Sequence, residues 1–139
     1  MKSRANAIVG LSCAALLASC STAPAGMTRT AEAQQELDKA LAGRVAGPPV
    51  NCIPTYRARD MQIIDDWTIL FKNGSTVYVQ NPRGGCPGIG SHGNVLINRP
   101  MPSNQLCSGD INNLFDPVSG IGGGACVFSQ FVPYTKPGG

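Results

Sequence analysis

The sequence predicts a mainly β fold, either a small disulfide-stapled β-barrel or a curved antiparallel sheet of about five strands, preceded by a signal peptide and a flexible tether. Three observations support this prediction. Short runs rich in β-branched and aromatic residues recur along the chain, an Asn-Gly pair separates two of them, and four cysteines lie in the part expected to fold. Segments with a helical pattern are few.

Residues 1–19 have the features of an export signal. Lys2 and Arg4 supply a positive start, and residues 5–17 form an uncharged, mostly apolar stretch of the usual length. The next residues, Leu17-Ala18-Ser19-Cys20, resemble the bacterial lipobox, in which small residues precede a cysteine that is lipidated and becomes the new N-terminus. The alternative is an ordinary signal peptide cut at another small-residue site. We predict lipidation of Cys20.

The anchor predicts where the protein resides. Several acyl chains hold a protein stably on a bilayer, where one chain does not. Ser21 follows the anchor in place of the Asp that retains enterobacterial lipoproteins in the inner membrane. By that resemblance we expect a palmitate-bearing lipoprotein of the cell outer membrane that faces the periplasm.

Residues 20–50 are predicted to form a lipidated tether. They are rich in Ala, Thr, Gly and Pro, and the helix-forming stretch 30–41 has only Leu37 and Leu41 as large apolar residues. A short, marginal helix inside a flexible tether is therefore expected. The run Gly47-Pro48-Pro49 marks a boundary, after which residues 51–134 form the β domain and 135–139 a C-terminal tail.

The first strands of the domain form a predicted hairpin. Residues 61–65 and 67–72 have strand composition, and 75–80 place Val77 and Val79 on one face with Tyr78 opposite. Asn73-Gly74 between the runs predicts a type I′ turn, because both residues tolerate positive φ.

Later strands are predicted at 95–99, 110–115 and 127–134. Pro100 and Pro102 close the first of them, because proline restricts strand pairing. Gly120 to Gly124 can only be a loop.

Four cysteines remain after Cys13 leaves with the signal and Cys20 is lipidated. In an oxidising envelope an even number implies two disulfides, and three pairings are open. No pair has the Cys-x-x-Cys spacing of structural zinc or redox sites, so no metal is predicted. The candidates are Cys52, Cys86, Cys107 and Cys126.

Several pieces of residues 51–134 resemble a family of small lipoproteins from alphaproteobacteria and their relatives, known only as a domain of unknown function. The resemblance implies cysteine staples and a compact β fold but no activity. Gln130 departs from the family, which has Gly before the Phe of its closing motif. The pieces are Cys52-Ile53, Ile64-Asp65-Asp66, Thr68-Ile69-Leu70-Phe71, Cys86-Pro87-Gly88, Leu106-Cys107, Asp110-Ile111, and Cys126 with Phe131-Val132-Pro133.

Few residues suggest chemistry. His92, the only histidine, lies in a glycine-rich loop, and Asp65, Asp66 and Asp110 fit turn caps. An enzyme would need these four side chains to converge. We predict no enzyme and no cofactor.

The aromatic residues Trp67 and Tyr78, with His92, are candidate interaction residues, although core packing is the usual role of such aromatics.

Charge argues against nucleic acid. The chain has 11 Lys and Arg, and removal of Lys2 and Arg4 leaves nine against eight Asp and Glu, scattered along the sequence. We therefore expect a lipid-anchored binding module of the cell envelope, with the membrane and an envelope or secreted protein as partners. The alternatives are an inhibitor of lysozyme or another hydrolase, by fold-level analogy, and a small envelope enzyme.

Overall fold

The structure is a computed structural model that describes residues 28–54, 60–90, 94–98 and 104–138. These residues form one helix, α1 (Ala31–Leu41), and ten strands whose pairings are all antiparallel. The predicted mainly β, antiparallel fold is confirmed. In chain order the strands are β1 (Val45–Ala46), β2 (Cys52–Pro54), β3 (Asp60–Asp65), β4 (Thr68–Asn73), β5 (Thr76–Gln80), β6 (Val95–Asn98), β7 (Gln105–Cys107), β8 (Ile111–Phe115), β9 (Gly122–Val127) and β10 (Phe131–Thr135).

The largest sheet has five strands in the order β1-β10-β5-β4-β3. Its hairpin of β4 and β5 is the predicted one, but Asn73 pairs with Thr76, so Gly74-Ser75 forms the tip in place of Asn73-Gly74. Gly74 has φ 57°, as the first tip residue of a tight hairpin requires. The hairpin is confirmed, and its turn lies one residue later than predicted.

Two smaller sheets complete the fold. One has the order β6-β8-β9 and the other pairs β2 with β7. Isolated antiparallel bridges join Val50 to Phe131 of β10 and Arg83 to Val127 of β9. Within the described ranges none of the sheets closes, so the barrel alternative is wrong.

The predicted strand count is too low, partly because β1, β2 and β7 have only two or three residues and show no alternation in sequence. The prediction that Gly120 to Gly124 can only be a loop is wrong, because β9 begins at Gly122 and its glycines give no strand pattern.

Helix α1 packs on the five-stranded sheet, which corrects the predicted flexible tether for residues 28–50. Thr30 caps the helix, its Oγ1 accepting a hydrogen bond from the Ala33 amide at 3.2 Å. Ala33 is buried in a cluster with Leu70, Val77 and Val79, and Leu37 packs against it. The sequence predicted little burial because the helix has few large apolar residues. The small side chain of Ala33 instead allows the helix to approach the sheet closely. None of the described helical residues form a segment long and apolar enough to cross a bilayer.

The main core lies on the other side of the five-stranded sheet. Phe71, Phe128 and Phe131 meet edge to face, with ring centroids 5.7 to 5.9 Å apart, and all three are at most 2% exposed. Phe71 comes from β4 and Phe131 from β10, while Phe128 follows β9. The three rings therefore join the large sheet to the β6-β8-β9 sheet.

The four predicted cysteines form two disulfides, Cys52–Cys107 and Cys86–Cys126. The first links β2 to β7, where the two cysteines are also register partners. The second is buried in the main core, because Cys86 is 0% exposed and Cys126 is 3% exposed. Tertiary contacts thus select one of the three open pairings.

Candidate functional site

The predicted interaction residues have different surroundings. Tyr78 is half-buried and packs against the main core, so its side chain is mostly used in packing. Trp67 is half-buried in the turn between β3 and β4. His92 lies outside the described residues. Neither member of the described pair is fully exposed, and only Tyr78 packs against the main core.

The candidate acids act as turn residues. Asp65 Oδ1 accepts a hydrogen bond from the Trp67 amide at 2.8 Å, and Asp110 Oδ2 accepts one from the Cys107 amide at 2.7 Å. The Asp66 carbonyl accepts a hydrogen bond from the Cys86 amide at 2.6 Å. Asp65 and Asp110 thus cap local backbone, as the turn interpretation predicts.

No metal-binding cluster is found in the part of the chain that the structure describes, because no three His, Cys, Asp or Glu side chains come together there. The proposed convergence of Asp65, Asp66 and Asp110 with His92 involves a residue outside that part.

Arg29 joins the N-terminal arm to the β3–β4 turn. Its Nε donates to Asp65 Oδ2 at 2.6 Å, its Nη2 to Thr68 Oγ1 at 2.5 Å and its Nη1 to Gln34 Oε1 at 3.2 Å. Arg29, Gln34 and Asp65 line a cleft of about 250 Å³ together with Trp67. Because each guanidinium nitrogen donates to a neighbouring side chain, we interpret this network as a clamp that holds the arm, and not as a ligand site.

Gly85 and Gly84 provide a matched test of how tightly Trp67 is packed. Their φ angles, 79° and 74°, strain any other residue to a similar degree. A β-carbon at Gly85 would lie 2.9 Å from Trp67 Cε3, whereas one at Gly84 would meet nothing within 4 Å. We expect Gly84→Ala to lower the free energy of unfolding by about 1 kcal/mol and Gly85→Ala by roughly 2–4 kcal/mol, measured by urea titration. Equal losses would contradict the packing.

The β6-β8-β9 sheet exposes an apolar surface that sequence reasoning missed. Register pairs Val95 with Phe115, aligns Ile97 with Asn113 and Ala125, and pairs Ile111 with Val127, so these side chains lie on one side. The opposite side carries Leu114 and Cys126 into the core. We call the first side the outer face; it consists of Val95, Ile97, Ile111, Asn113, Phe115, Ala125 and Val127.

The strands of the outer face carry no charged residue and its aliphatic side chains are accessible; the exposed Arg83, bridged to Val127, borders it. Strands β6, β8 and β9 contain no Lys, Arg, Asp, Glu or His. Ile111 is 64% exposed, and Val95 and Ile97 are also among the exposed large apolar residues. Such adjacent exposed apolar residues are typical of contact surfaces for proteins or membranes.

The turn between β8 and β9, residues 116–121, extends this apolar character; we call it the hairpin tip. Val118 is 90% exposed and Ile121 68% exposed. Asp116 closes the tip, its carboxylate accepting hydrogen bonds from the Val118 amide at 2.8 Å and from Ser119 Oγ at 2.6 Å. The large side chains that this tip exposes, Val118 and Ile121, are thus apolar, and the exposed Ser119 directs its hydroxyl to Asp116.

A signal for the outer face was present in the sequence. A strand covered on one side only should alternate apolar and polar residues, yet Val95, Leu96 and Ile97 are all apolar. Such a run predicts burial on both sides or an exposed apolar side, and the tertiary structure decides which.

No protein family, curated protein or solved structure that was compared with this chain shows a significant match.

Proposed function

We propose that this chain is a lipid-anchored protein of the cell envelope, held by Cys20 on the outer membrane facing the periplasm, and that its folded domain is a non-catalytic binding module. The lipobox-like residues Leu17-Ala18-Ser19-Cys20 support the anchor. The resemblance of residues 51–134 to a lipoprotein family agrees with this location and suggests no activity.

The outer face is the observation that carries the binding role. Ile111 is 64% exposed, and the strands of this face contain no charged residue. Removing such a surface from water is favourable, so its burial against a partner stabilises the complex. Interface centres are likewise depleted in charged residues. The hairpin tip adds Val118 and Ile121 at its end. Binding at this surface requires no catalytic group.

Photo-crosslinking in cells tests the proposal. A benzoylphenylalanine residue at position 111 or 118 is expected to give a reproducible adduct, either to a protein or to lipid. The matched control carries the probe at Glu36, which is exposed on α1. We expect no such adduct from the control. A captured secreted hydrolase would favour the inhibitor alternative, whereas adducts that do not depend on probe position would refute the binding surface.

The anchor has its own test. The Cys20→Ser variant is expected to lose all palmitate label, whereas the unchanged chain incorporates it. Retained label in the variant would exclude lipidation at Cys20 and with it the anchored part of the proposal.

A further inference from the structure

We infer that the outer face and the hairpin tip dock on the lipid surface of the membrane that holds the anchor. The inference rests on the proposed function, because it requires lipid on Cys20. It adds the chemical identity of what the binding surface contacts, namely the apolar part of the bilayer interface.

The length of the arm brings the domain close to the bilayer. The Arg29 clamp fixes the start of the folded part, so only residues 21–28 separate Arg29 from the anchor at Cys20. Eight residues span at most about 29 Å, whatever conformation they adopt. A tether of residues 20–50, as predicted from sequence, would have reached several times farther.

The bilayer is therefore within reach of any side of the domain. A folded unit of about 110 residues has a radius of gyration near 13 Å, which corresponds to a diameter on the order of 35 Å. An arm of nearly that length allows the domain to turn its outer face toward the membrane. The lipid surface is then always available for contact with the outer face. A second copy of this chain, the other possible occupant, must first diffuse to the same place on the membrane.

Four backbone amides of the hairpin tip donate hydrogen bonds within the tip. The Asp116 amide donates to the Ile121 carbonyl at 3.0 Å, and the Gly120 amide donates to the Asp116 carbonyl at 2.9 Å. The Val118 amide donates to the Asp116 carboxylate, and the Ile121 amide donates to Ser119 Oγ at 3.3 Å. Pro117 has no amide proton.

These bonds favour lipid as the occupant. An apolar medium offers no partners for free amide protons, so a loop can enter it only when such groups are satisfied internally. A protein surface offers its own donors and acceptors to open backbone groups, whereas acyl chains offer none. Strands β6, β8 and β9 contain no charged residue, which avoids the high cost of placing a charge in lipid. The carboxylate of Asp116, at the start of the tip, accepts hydrogen bonds from the Val118 amide and Ser119 Oγ.

Fluorescence quenching on vesicles tests the inference. The lipidated full chain is reconstituted in phosphatidylcholine vesicles with or without acyl-chain bromination, and Val118→Trp is compared with Glu36→Trp. Trp67 is present in both variants and in the unchanged chain, which gives its separate contribution. We expect bromolipid quenching of the Trp at 118 to be on the order of threefold larger than at 36, with a shift of its emission to shorter wavelength.

One further measurement sharpens the result. Adding Ile111→Lys to Val118→Trp should reduce quenching toward the Glu36→Trp level, because it places a charge at the most exposed large apolar position of the outer face. Equal quenching at positions 118 and 36 would overturn lipid docking.

The same experiment separates the inference from the proposed function. A protein adduct at position 111 in cells, without quenching on vesicles, would retain the binding module and discard the lipid. Dimers crosslinked through position 111 on the vesicles, without quenching, would identify a second copy as the occupant.

Discussion

Replacing Cys86 and Cys126 together by Ala should lower the free energy of unfolding by about 4 kcal/mol or more. The bond closes a loop of 40 residues, and restricting that loop in the unfolded chain contributes about 4 kcal/mol in the entropic account. Both cysteines are also buried in the main core beside Phe128, so the variant additionally loses packing there. Urea unfolding followed by the fluorescence of Trp67 measures the loss.

The other disulfide supplies a matched control. Cys52–Cys107 closes a longer loop of 55 residues, so loop entropy alone ranks it slightly higher. Both of its cysteines are only half-buried, so its removal opens less of the core. We expect the Cys52→Ala/Cys107→Ala variant to lose less stability than the Cys86→Ala/Cys126→Ala variant. The reverse order would mean that loop length, and not burial, dominates.

Phe128→Ala is expected to lower the free energy of unfolding by about 3–5 kcal/mol, which for a domain of this size lowers the melting temperature on the order of 15 °C. Phe128 is fully buried and touches Phe71 and Phe131 edge to face. Its truncation leaves a cavity between the five-stranded sheet and the β6-β8-β9 sheet. The Phe128 backbone is hydrogen-bonded to Gly109 and Asp110, which limits how far the surrounding chain can move into that cavity. Thermal and urea unfolding give the loss.

Phe115→Ala is the control for that prediction. Phe115 is half-buried on the outer face, so its truncation removes less packing and creates no enclosed cavity. We expect its loss to be less than half that of Phe128→Ala. Comparable losses would indicate that the outer face is covered in the isolated protein, which would also argue against an accessible binding surface.

Local patterns accounted for much of the secondary structure. The hairpin of β4 and β5 follows from β-branched runs on both sides of Asn73-Gly74, and its alternation correctly opposes Tyr78 to Val77 and Val79. The turn shifted by one residue because register is set over the whole ladder, in which Asn73 pairs with Thr76. Turn chemistry by itself permits either position.

The helix illustrates a different limit. Its composition predicts a helix over residues 30–41, and α1 occupies nearly that range. Whether it packs depends on Ala33 fitting against Leu70 and on the Arg29–Asp65 contact across 36 residues of sequence. Neither interaction leaves a pattern in the neighbouring sequence, so the sequence of this segment predicts a tether. Its packing is apparent only from the position of the sheet in the tertiary structure.

The sequence by itself determined the class of fold, the central hairpin and the number of disulfides, because these depend on local propensity and on counting cysteines. Only the tertiary structure decided the pairing of Cys52 with Cys107 and of Cys86 with Cys126, the docking of α1 and the accessibility of the outer face. These three depend on contacts between residues far apart in sequence. An apolar run such as Val95 to Ile97 has the same pattern whether its second side is covered or open to solvent, and only the arrangement of the other strands distinguishes the two.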